Sequence, residues 1–404
     1  MNDWQIKKPT NFQLLLLTLF LTFPIKIFYS LSRPLYDSGP DAPQYISIII
    51  NIARGDFWKT TIVGIPQYPV GFPFLNSFVV DIFGNEWVKA AQILQIISFT
   101  VSLILYFKIL LKYTSENIAL FSALILALSP AWAVANGEAM YETYLFVFLC
   151  FGSYLLLKSQ EPSGFRTTYL LCGGFFLGFC GVIHPRILLV LPLFIYLIFR
   201  NFVSSLAEKF LLGFTLILPM GIFAFRNLLI ESVFSLSTSI MPSLKYHKSL
   251  RSAGNLEEVP GLIWQNFPTF LQECIVNMFY FWSPYSGSLR RGSWYHNVSL
   301  LSILQKMSLN DLPIALVFSL VNFSFCCIGL YLLKKKDWNF FIFSSTSLLT
   351  LWCTDIFLFG DSRHRLIAMF VTAPLLSIGI ISTCNRLSTH IFKKSSHAHR
   401  RGEI

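Results

Sequence analysis

The sequence predicts an all-α polytopic membrane protein with about ten transmembrane helices, and its composition is the first reason. Of the 404 residues, 54% are hydrophobic and only 13% are charged, whereas about a quarter of the residues in soluble domains are charged. The second reason is that apolar windows long enough to cross a bilayer recur along the chain. Basic residues flank these windows, so the net charge of +11 indicates membrane topology, and we expect no binding of nucleic acid.

The apolar windows predict a single integral membrane domain over residues 1–404. The first window follows Lys7 and Lys8 and lacks a small-residue cleavage site, so we interpret it as an uncleaved span rather than a signal peptide. The predicted spans are residues 12–31, 87–107, 117–135, 141–157, 167–182, 187–200, 210–225, 313–333, 339–358 and 366–383.

The distribution of basic residues predicts the orientation of these spans. If the N-terminus is cytoplasmic, most lysines and arginines of the short connections lie inside, and the short outer turns carry only Arg186, Arg363 and Arg365. Short cytoplasmic loops of membrane proteins are enriched in such residues. We therefore expect both termini in the cytoplasm, with a basic tail at residues 385–404.

Two long loops are predicted on the outer side, the first at residues 32–86 and the second at residues 226–312. The first long loop contains "YISIIINIARGDFW", an amphipathic helix expected at the membrane interface. Prolines then bend the chain before a second apolar stretch, which is too short to span a bilayer. The apolar face of the amphipathic helix is predicted to be Tyr45, Ile46, Ile49, Ile50, Ala53 and Phe57.

Two aspartates precede this amphipathic helix. Asp41 lies just before Pro43, where a carboxylate caps the free N–H groups of a helix N-terminus. The same carboxylate, at the membrane boundary, is suited to act as a general base, and the sequence leaves both roles open. Asp37 is the rival base, with an ordinary role as a turn residue as its alternative.

Other polar residues fall on the same predicted face. Glu138 and Glu142 are four residues apart on one helical face, where carboxylates are either simply solvated or hold a metal or sugar hydroxyls. Interfacial arginines either anchor in lipid headgroups or bind phosphate with their planar guanidinium. The candidates on this face are Tyr68, Glu138, His184, Arg186, Arg226, Arg363, His364 and Arg365.

Several common catalytic signatures are missing from the sequence. It has no Walker A loop, no GxGxxG, no HExxH and no GxSxG motif, so nucleotide chemistry is not supported. The eight cysteines lie nearly all inside apolar windows, without a CxxC pair, which is typical of small buried hydrophobes rather than of a zinc site.

A set of motifs occurs in a definite order along the chain. It comprises "DAPQY", the amphipathic helix, "YPVGFPFLNSFVVDIFGNEWVKAAQIL", "ENIALFSALILALSPAWAV", "GVIHPRILLVLPL", "FRNLLIESVFSLST" and "GDSRHRLIAMF". In this order the motifs resemble the C-type membrane glycosyltransferases (GT-C fold), in the branch of protein mannosyltransferases and aminoarabinose transferases. The chain departs from that branch in "RHR" and "YPVGFP", which stand for Arg-Tyr-Arg and Pro-Pro-Gly-Tyr-Pro.

The resemblance implies transfer of a sugar, with inversion, from a polyprenyl-phosphate donor to an acceptor hydroxyl on the outer face. The acceptor would be a glycolipid, a glycan or a protein, and the second long loop would contact acceptor or donor. No cofactor is required by the resemblance, and a divalent metal is left open. The implied roles are general base for Asp41, with Asp37 second, phosphate binding for Arg363, Arg365 and Arg186, and an acceptor or metal site for Glu138, Tyr68 and His364.

Two other functions stay open on the sequence alone. One is a transporter or flippase for lipid-linked sugars, and the other is a ligase or polymerase of sugar chains. A transporter would ordinarily show internal repeats and charges at mid-membrane, and the sequence has no clear repeat. No retrieval signal for the endoplasmic reticulum is evident, so we expect the inner (cytoplasmic) membrane of a bacterial cell.

Overall fold

The protein is built from α-helices, and the described part of the chain contains no β-strand. A computed structural model describes residues 10–31, 42–63, 65, 68–137, 141–162, 164–189, 205–236, 252, 257–271, 274, 282, 311–358 and 365–401. The helices are α1 (Asn11–Leu31), α2 (Ala42–Ala53), α3 (Gly71–Phe83), α4 (Trp87–Leu110), α5 (Glu116–Ala127), α6 (Pro130–Ala135), α7 (Glu142–Lys158), α8 (Arg166–Ile183), α9 (Leu206–Glu231), α10 (Val259–Gln265), α11 (Asp311–Lys336), α12 (Trp338–Leu358) and α13 (Arg365–Arg401). Short 3-10 turns occupy Gly84–Glu86 and Pro185–Leu189.

Several of these helices are long and apolar enough to cross a membrane. The five such segments among the described residues are Asn11–Phe28, Gly71–Leu110, Arg166–Ile183, Leu206–Glu231 and Ala368–Thr389. The prediction of an all-α polytopic membrane protein is therefore confirmed. The predicted number of about ten spans is not confirmed, because five segments of the described residues have the length and apolarity of a span. Most of the predicted span 187–200 lies outside the described residues.

The predicted span 117–135 is not one continuous helix. It consists of α5 and α6, which are separated at Leu128 and Ser129. The break follows from Pro130, which lacks a backbone N–H and disfavours the helical conformation of the residue before it. At the other end of the chain, α13 continues as one helix from Arg365 to Arg401, so it includes most of the predicted basic tail.

A helix is present where the amphipathic stretch predicted it. The buried residues of α2 are Ala42, Tyr45, Ile48, Ile49 and Ile52. Three of the residues predicted for the apolar face, Ile46, Ile50 and Ala53, are only half-buried. The buried stripe is therefore rotated relative to the prediction, because α3 covers one side of α2.

The bundle is held together by close helix contacts. α8 packs between α7 and α9, α4 packs against α1, α5 and α7, and α13 packs against α5, α11 and α12. Two hydroxyl contacts support this arrangement: Tyr106 donates to the Phe370 carbonyl at 2.9 Å, and Ser122 is 2.9 Å from Ser377. Both connect the first half of the chain to α13.

The helix ends form two groups. At one end, which we call the basic end, Lys158 pairs with Glu161 at 2.7 Å and Arg166 pairs with Glu208 at 2.8 Å. The opposite end carries α2 and the turns that follow α6 and α8, and we call it the loop end. Of the predicted site residues that the structure describes, Tyr68 precedes α3, and His184 and the backbone of Arg186 follow α8, so these three lie at the loop end.

Candidate active site at the loop end

The structure describes the predicted site residues unequally. Asp37, Asp41, Glu138, Arg363 and His364 lie outside the described residues. Arg186 lies in the turn Pro185–Leu189, and Arg365 is the first residue of α13, and for these two only the backbone is described. Tyr68 and His184 are described with their side chains.

Residue Asp41 is joined directly to the start of α2, which is firmly packed. Ala42, the first residue of α2, is fully buried. The Tyr45 ring makes edge contacts with the rings of Tyr68 and Phe72, each at 5.4 Å between centroids. Tyr68, a predicted site residue, is half-buried, and its ring packs against the first turn of α2.

The start of α3 is pressed against the end of α8. A Cβ atom added to Gly71 would lie 2.6 Å from the Ile183 amide nitrogen, so only glycine permits this approach. His184 follows α8 and is buried, with its ring 4.3 Å from the ring of Tyr141. These contacts bring the turn that carries Arg186 close to the starts of α3 and α7.

A polar contact connects α3 to α7 beside this turn. The Tyr144 hydroxyl donates to Asn76 Oδ1 at 3.4 Å, and Asn76 Nδ2 donates to the Phe72 carbonyl at 3.1 Å. The rings of Phe72 and Tyr144 are 5.7 Å apart. Asn76 is buried, so its amide is held by these two bonds and fixes the relative position of α3 and α7.

Gln92, near the start of α4, connects three segments of the loop end. Its Nε2 atom donates to the carbonyl oxygens of Ser30 and Gly137, each at 3.0 Å. Ser30 belongs to the last turn of α1, and Gly137 directly precedes Glu138. One buried amide therefore fixes the backbone beside a predicted acidic residue.

Several buried polar side chains at the loop end were not predicted as site residues. Lys26 is 5% exposed and its Nζ atom lies 4.8 Å from the centre of the Phe99 ring. Gln95, one turn before Phe99, is fully buried, and the Glu142 side chain is 1% exposed. Polar residues inside membrane spans are costly and usually functional. The signal in the sequence was that Lys26, Gln95 and Glu142 lie inside otherwise apolar windows.

Arg226 does not have either of the two roles considered for interfacial arginines. Its side chain is fully buried, and its guanidinium donates to protein acceptors in α9 and in the first long loop. It is therefore unavailable to lipid headgroups or to a substrate phosphate. Burial of this kind cannot be inferred from the sequence, since Arg226 lies in an ordinary apolar context.

Among the residues that the structure describes, no three His, Cys, Asp or Glu side chains form a group suited to a metal ion. The acidic candidates Asp37, Asp41 and Glu138, together with His364, are outside those residues.

One protein family matches part of this chain. Residues 67–224 match the model of the family described as dolichyl-phosphate-mannose-protein mannosyltransferase. This segment contains Tyr68, Gly71, Gln92 and His184, and it ends just before Arg226. No curated protein sequence matches the chain.

Solved structures of an archaeal oligosaccharyltransferase have a similar fold. The chain matches the apo oligosaccharyltransferase of Archaeoglobus fulgidus with a TM-score of 0.53 and 13% identity, over 95% of this chain and 52% of that one. The same enzyme tethered to an acceptor peptide containing the NVT sequon gives 0.52 and 10%, over 93% and 50%. ArnT from Cupriavidus metallidurans, bound to undecaprenyl phosphate, gives 0.42 and 16%, over 91% and 76%.

The two oligosaccharyltransferase structures establish a shared fold, and this chain spans about half of their length. Together with the family match, they confirm the resemblance to C-type membrane glycosyltransferases that the order of motifs indicated. The chain is a multi-pass membrane protein of that fold.

Proposed function

Starting from the family match at residues 67–224 and the shared fold, we propose that this chain is a membrane glycosyltransferase. It moves a sugar from a polyprenyl-phosphate donor to an acceptor hydroxyl. The observation that carries the proposal is that the matched segment contains the ring contacts of Tyr68 and His184 and the hydrogen bonds of Asn76 and Gln92 at the loop end. The name of the matched family, with its dolichyl-phosphate-mannose donor, supports a lipid-phosphate sugar as donor class.

Asp41 is our choice for the general base. Its position before the packed first turn of α2 would give the carboxylate a fixed anchor at the membrane boundary. Asp41 accepts the proton of the acceptor hydroxyl while that oxygen bonds to the anomeric carbon from the face opposite the donor phosphate. The bond from carbon to the phosphate oxygen breaks, and the configuration inverts. Asp37 is the second choice for this role.

The departing polyprenyl phosphate needs positive charge, because negative charge grows on its oxygen in the transition state. Arg186, Arg363 and Arg365 are the residues we assign to this function, since a guanidinium matches the geometry of phosphate oxygens. The backbone supports the assignment for two of them, because Arg186 follows α8 and Arg365 opens α13 at the loop end. Glu138, Tyr68 and His364 are assigned to the acceptor side or to a metal.

The loop end is proposed to face the outer side of a bacterial inner membrane, with the basic end in the cytoplasm. The basic end carries Lys112, Lys158 and Arg166, and three further lysines close α11. This distribution follows the positive-inside rule. The acceptor, a glycolipid, a glycan or a protein, then approaches from outside the cell.

The test uses purified protein in lipid nanodiscs with a labelled polyprenyl-phosphate sugar and membrane acceptors. We expect Asp41→Asn to stop sugar transfer while donor binding stays within about threefold of the wild type, because the base acts only in the transition state. Asp81→Asn is the matched control, since Asp81 is exposed on α3. Full activity of Asp41→Asn together with loss in Asp37→Asn would reassign the base. Full activity in both variants would refute the proposed mechanism.

A further inference from the structure

The guanidinium of Arg226 connects the end of α9 to the first long loop. Its Nε atom donates to the Phe57 carbonyl at 2.8 Å, and Nη2 donates to the Thr60 carbonyl at 3.3 Å. Both carbonyls belong to the turns that follow α2. The Phe57 ring lies under the guanidinium at 4.8 Å and also packs against Phe223 of α9 at 5.7 Å.

Glu231 completes this contact from the last residue of α9. Its Oε1 atom accepts from Arg226 Nη1 at 2.7 Å and from the Ile62 amide at 3.3 Å. The side-chain exposures are 0% for Arg226 and 8% for Glu231, so the ion pair is almost inaccessible to solvent. The attraction within a buried ion pair offsets the free-energy cost of removing both charges from water only when their remaining donors and acceptors are also bonded. Here, backbone groups of the first long loop provide these bonds.

Asn227 makes the corresponding contact to the second long loop. Its Oδ1 atom accepts from Arg226 Nη1 at 3.1 Å, and its Nδ2 atom donates to the Ser235 carbonyl at 2.7 Å. The Asn227 carbonyl also accepts from the Val233 amide at 3.2 Å. Ser232, the residue after α9, has φ 57°, a left-handed conformation that turns the chain sharply into the second long loop.

These contacts hold α2 from its C-terminal side. At its start, α2 is held by Tyr45 against Tyr68 and Phe72. At its end, the turn that contains Phe57, Thr60 and Ile62 is bonded to α9. A helix that is fixed at both ends cannot slide or tilt freely, so α2 has a defined position from Ala42 to Ala53.

We propose that Arg226, Asn227 and Glu231 form a junction that positions the first long loop against the start of the second, and thereby holds α2, the helix that begins at the residue after Asp41. The proposal rests on the function proposed above, and it makes these three residues positioning residues rather than catalytic ones. The geometry of the guanidinium is the reason for an arginine. The guanidinium donates at the same time to backbone carbonyls of the first long loop and to the side chains of Asn227 and Glu231. The single ammonium group of a lysine cannot reach all of these acceptors.

The junction itself is tested by hydrogen exchange, which does not depend on any activity. The variant is Arg226→Met with Glu231→Leu, because an apolar pair of similar volume replaces a buried ion pair without leaving a charge unpaired. We expect amides in residues 57–63 and 232–236 to exchange about tenfold faster or more, while amides of α4 and α7 keep their protection. Unchanged exchange in both loop segments would overturn the junction.

Its role in positioning is tested by steady-state kinetics of sugar transfer. In the same double variant we expect kcat to fall on the order of 100-fold, as for a misplacement of about 1 Å, with the donor dissociation constant within about threefold of wild type. Arg54→Gln is the matched control, since Arg54 lies exposed just after α2, and it should keep the wild-type kcat. Faster exchange with an unchanged kcat in the double variant would contradict the positioning role and show that the ion pair only stabilises the fold.

A second variant, Arg226→Lys, covers the case in which the double variant does not fold. It keeps the charge opposite Glu231, so we expect normal expression and melting temperature, but it loses bonds to the first long loop and should still lower kcat. Wild-type kcat in Arg226→Lys would contradict the proposal. If the wild-type protein transfers no sugar at all, the proposed function fails instead, and the exchange experiment alone decides whether the junction exists.

Discussion

Buried polar side chains at the loop end bond mainly to backbone carbonyls of neighbouring segments. Gln92 donates to α1 and to the turn after α6, and Arg226 donates to the first long loop, while Asn76 of α3 accepts from the Tyr144 hydroxyl of α7. In a membrane protein such bonds add specificity that apolar packing lacks, because lipid and protein interior are equally apolar. Each side chain therefore fixes one relative position of two segments.

Gln92→Met tests this at a single residue. The substitution leaves two buried carbonyls without their donor, so we expect a loss of about 2 kcal/mol of stability and a lower melting temperature in detergent. Gln160→Met is the control, because Gln160 is exposed at the basic end and should melt like the wild type. Equal melting temperatures of the two variants would show that the carbonyls are satisfied in another way.

The sequence predicted a helix start at the loop end, but not the burial of polar side chains there. A helix was expected after "DAPQY" began, and α2 begins at Ala42. Arg226 was expected at headgroups or phosphate, and its burial against Phe57 and Glu231 depends on contacts between distant parts of the chain. Lys26 and Gln95 were missed for the same reason.

At the scale of helices, small residues determine which elements come close. On α8, Gly174 and Gly178 are one turn apart and face α9, where an added Cβ would collide with Thr215 and with the Leu216 carbonyl. On α11 and α13, Gly329 and Gly379 face the Leu375 and Phe325 carbonyls in the same way. Small residues of this kind let helix backbones approach within a membrane.

Gly178→Ala is expected to destabilise the α8–α9 contact by about 2 kcal/mol, because a methyl group is forced into a packed interface. Gly213→Ala on α9 is the control, since an added Cβ there meets nothing within 4 Å. Alanine is the better helix former, so this control should be neutral or stabilising by up to about 1 kcal/mol. Thermal unfolding of both variants provides the comparison, and equal stability would contradict the close approach.

The connection between α4 and α5 at the basic end introduces a pH dependence. Burial of the ring, and then the neighbouring Asp337 carboxylate, raise the pKa of Tyr113 to about 12. The unfolded chain has the ordinary tyrosine pKa of about 10, so it loses this proton first, and ionisation favours unfolding. The contribution of Tyr113 is complete below about pH 10 and is lost as the pH rises towards 12.

Tyr113→Phe removes the ionisable hydroxyl and keeps the ring that stacks on Phe340 at 5.5 Å. We expect the fall in melting temperature above about pH 10 to be shallower in this variant than in the wild type. Parallel alkaline melting curves for the two proteins would show that the Tyr113 pKa is not raised by folding.

The apolar windows predicted where helices occur more reliably than whether a helix is continuous. The windows 167–182 and 210–225 correspond to α8 and α9, which extend beyond them at their ends. The window 117–135 did not reveal the break before Pro130, and the face of α2 was rotated by packing against α3. Hydropathy reports burial in lipid or protein equally, so it does not show which neighbour covers a face.

At the scale of the whole molecule, the helix bundle separates a basic end from a loop end. The ion pairs of Lys158 and Arg166 lie at the first, and the packed start of α2 lies at the second. The proposed orientation places all candidate catalytic residues outside the cytoplasm. A lipid-phosphate donor and an acceptor from outside the cell can then meet at one face of the membrane.

Cysteine labelling in intact cells tests this orientation. In a variant that lacks the eight native cysteines, Thr61→Cys and Gln160→Cys place single thiols at exposed positions of the loop end and the basic end. We expect an impermeant maleimide to label Thr61→Cys directly and Gln160→Cys only after permeabilisation. The reverse pattern would place the loop end in the cytoplasm.

The most direct measurement of the proposed function follows the donor itself. Purified wild-type protein in nanodiscs receives a polyprenyl-phosphate sugar labelled in both the lipid and the sugar, with and without a membrane acceptor. A glycosyltransferase releases polyprenyl phosphate and transfers the labelled sugar in equal amounts, only when the acceptor is present, and the product has the inverted configuration. Movement of intact donor across the bilayer without cleavage would instead identify a transporter and contradict the proposed function.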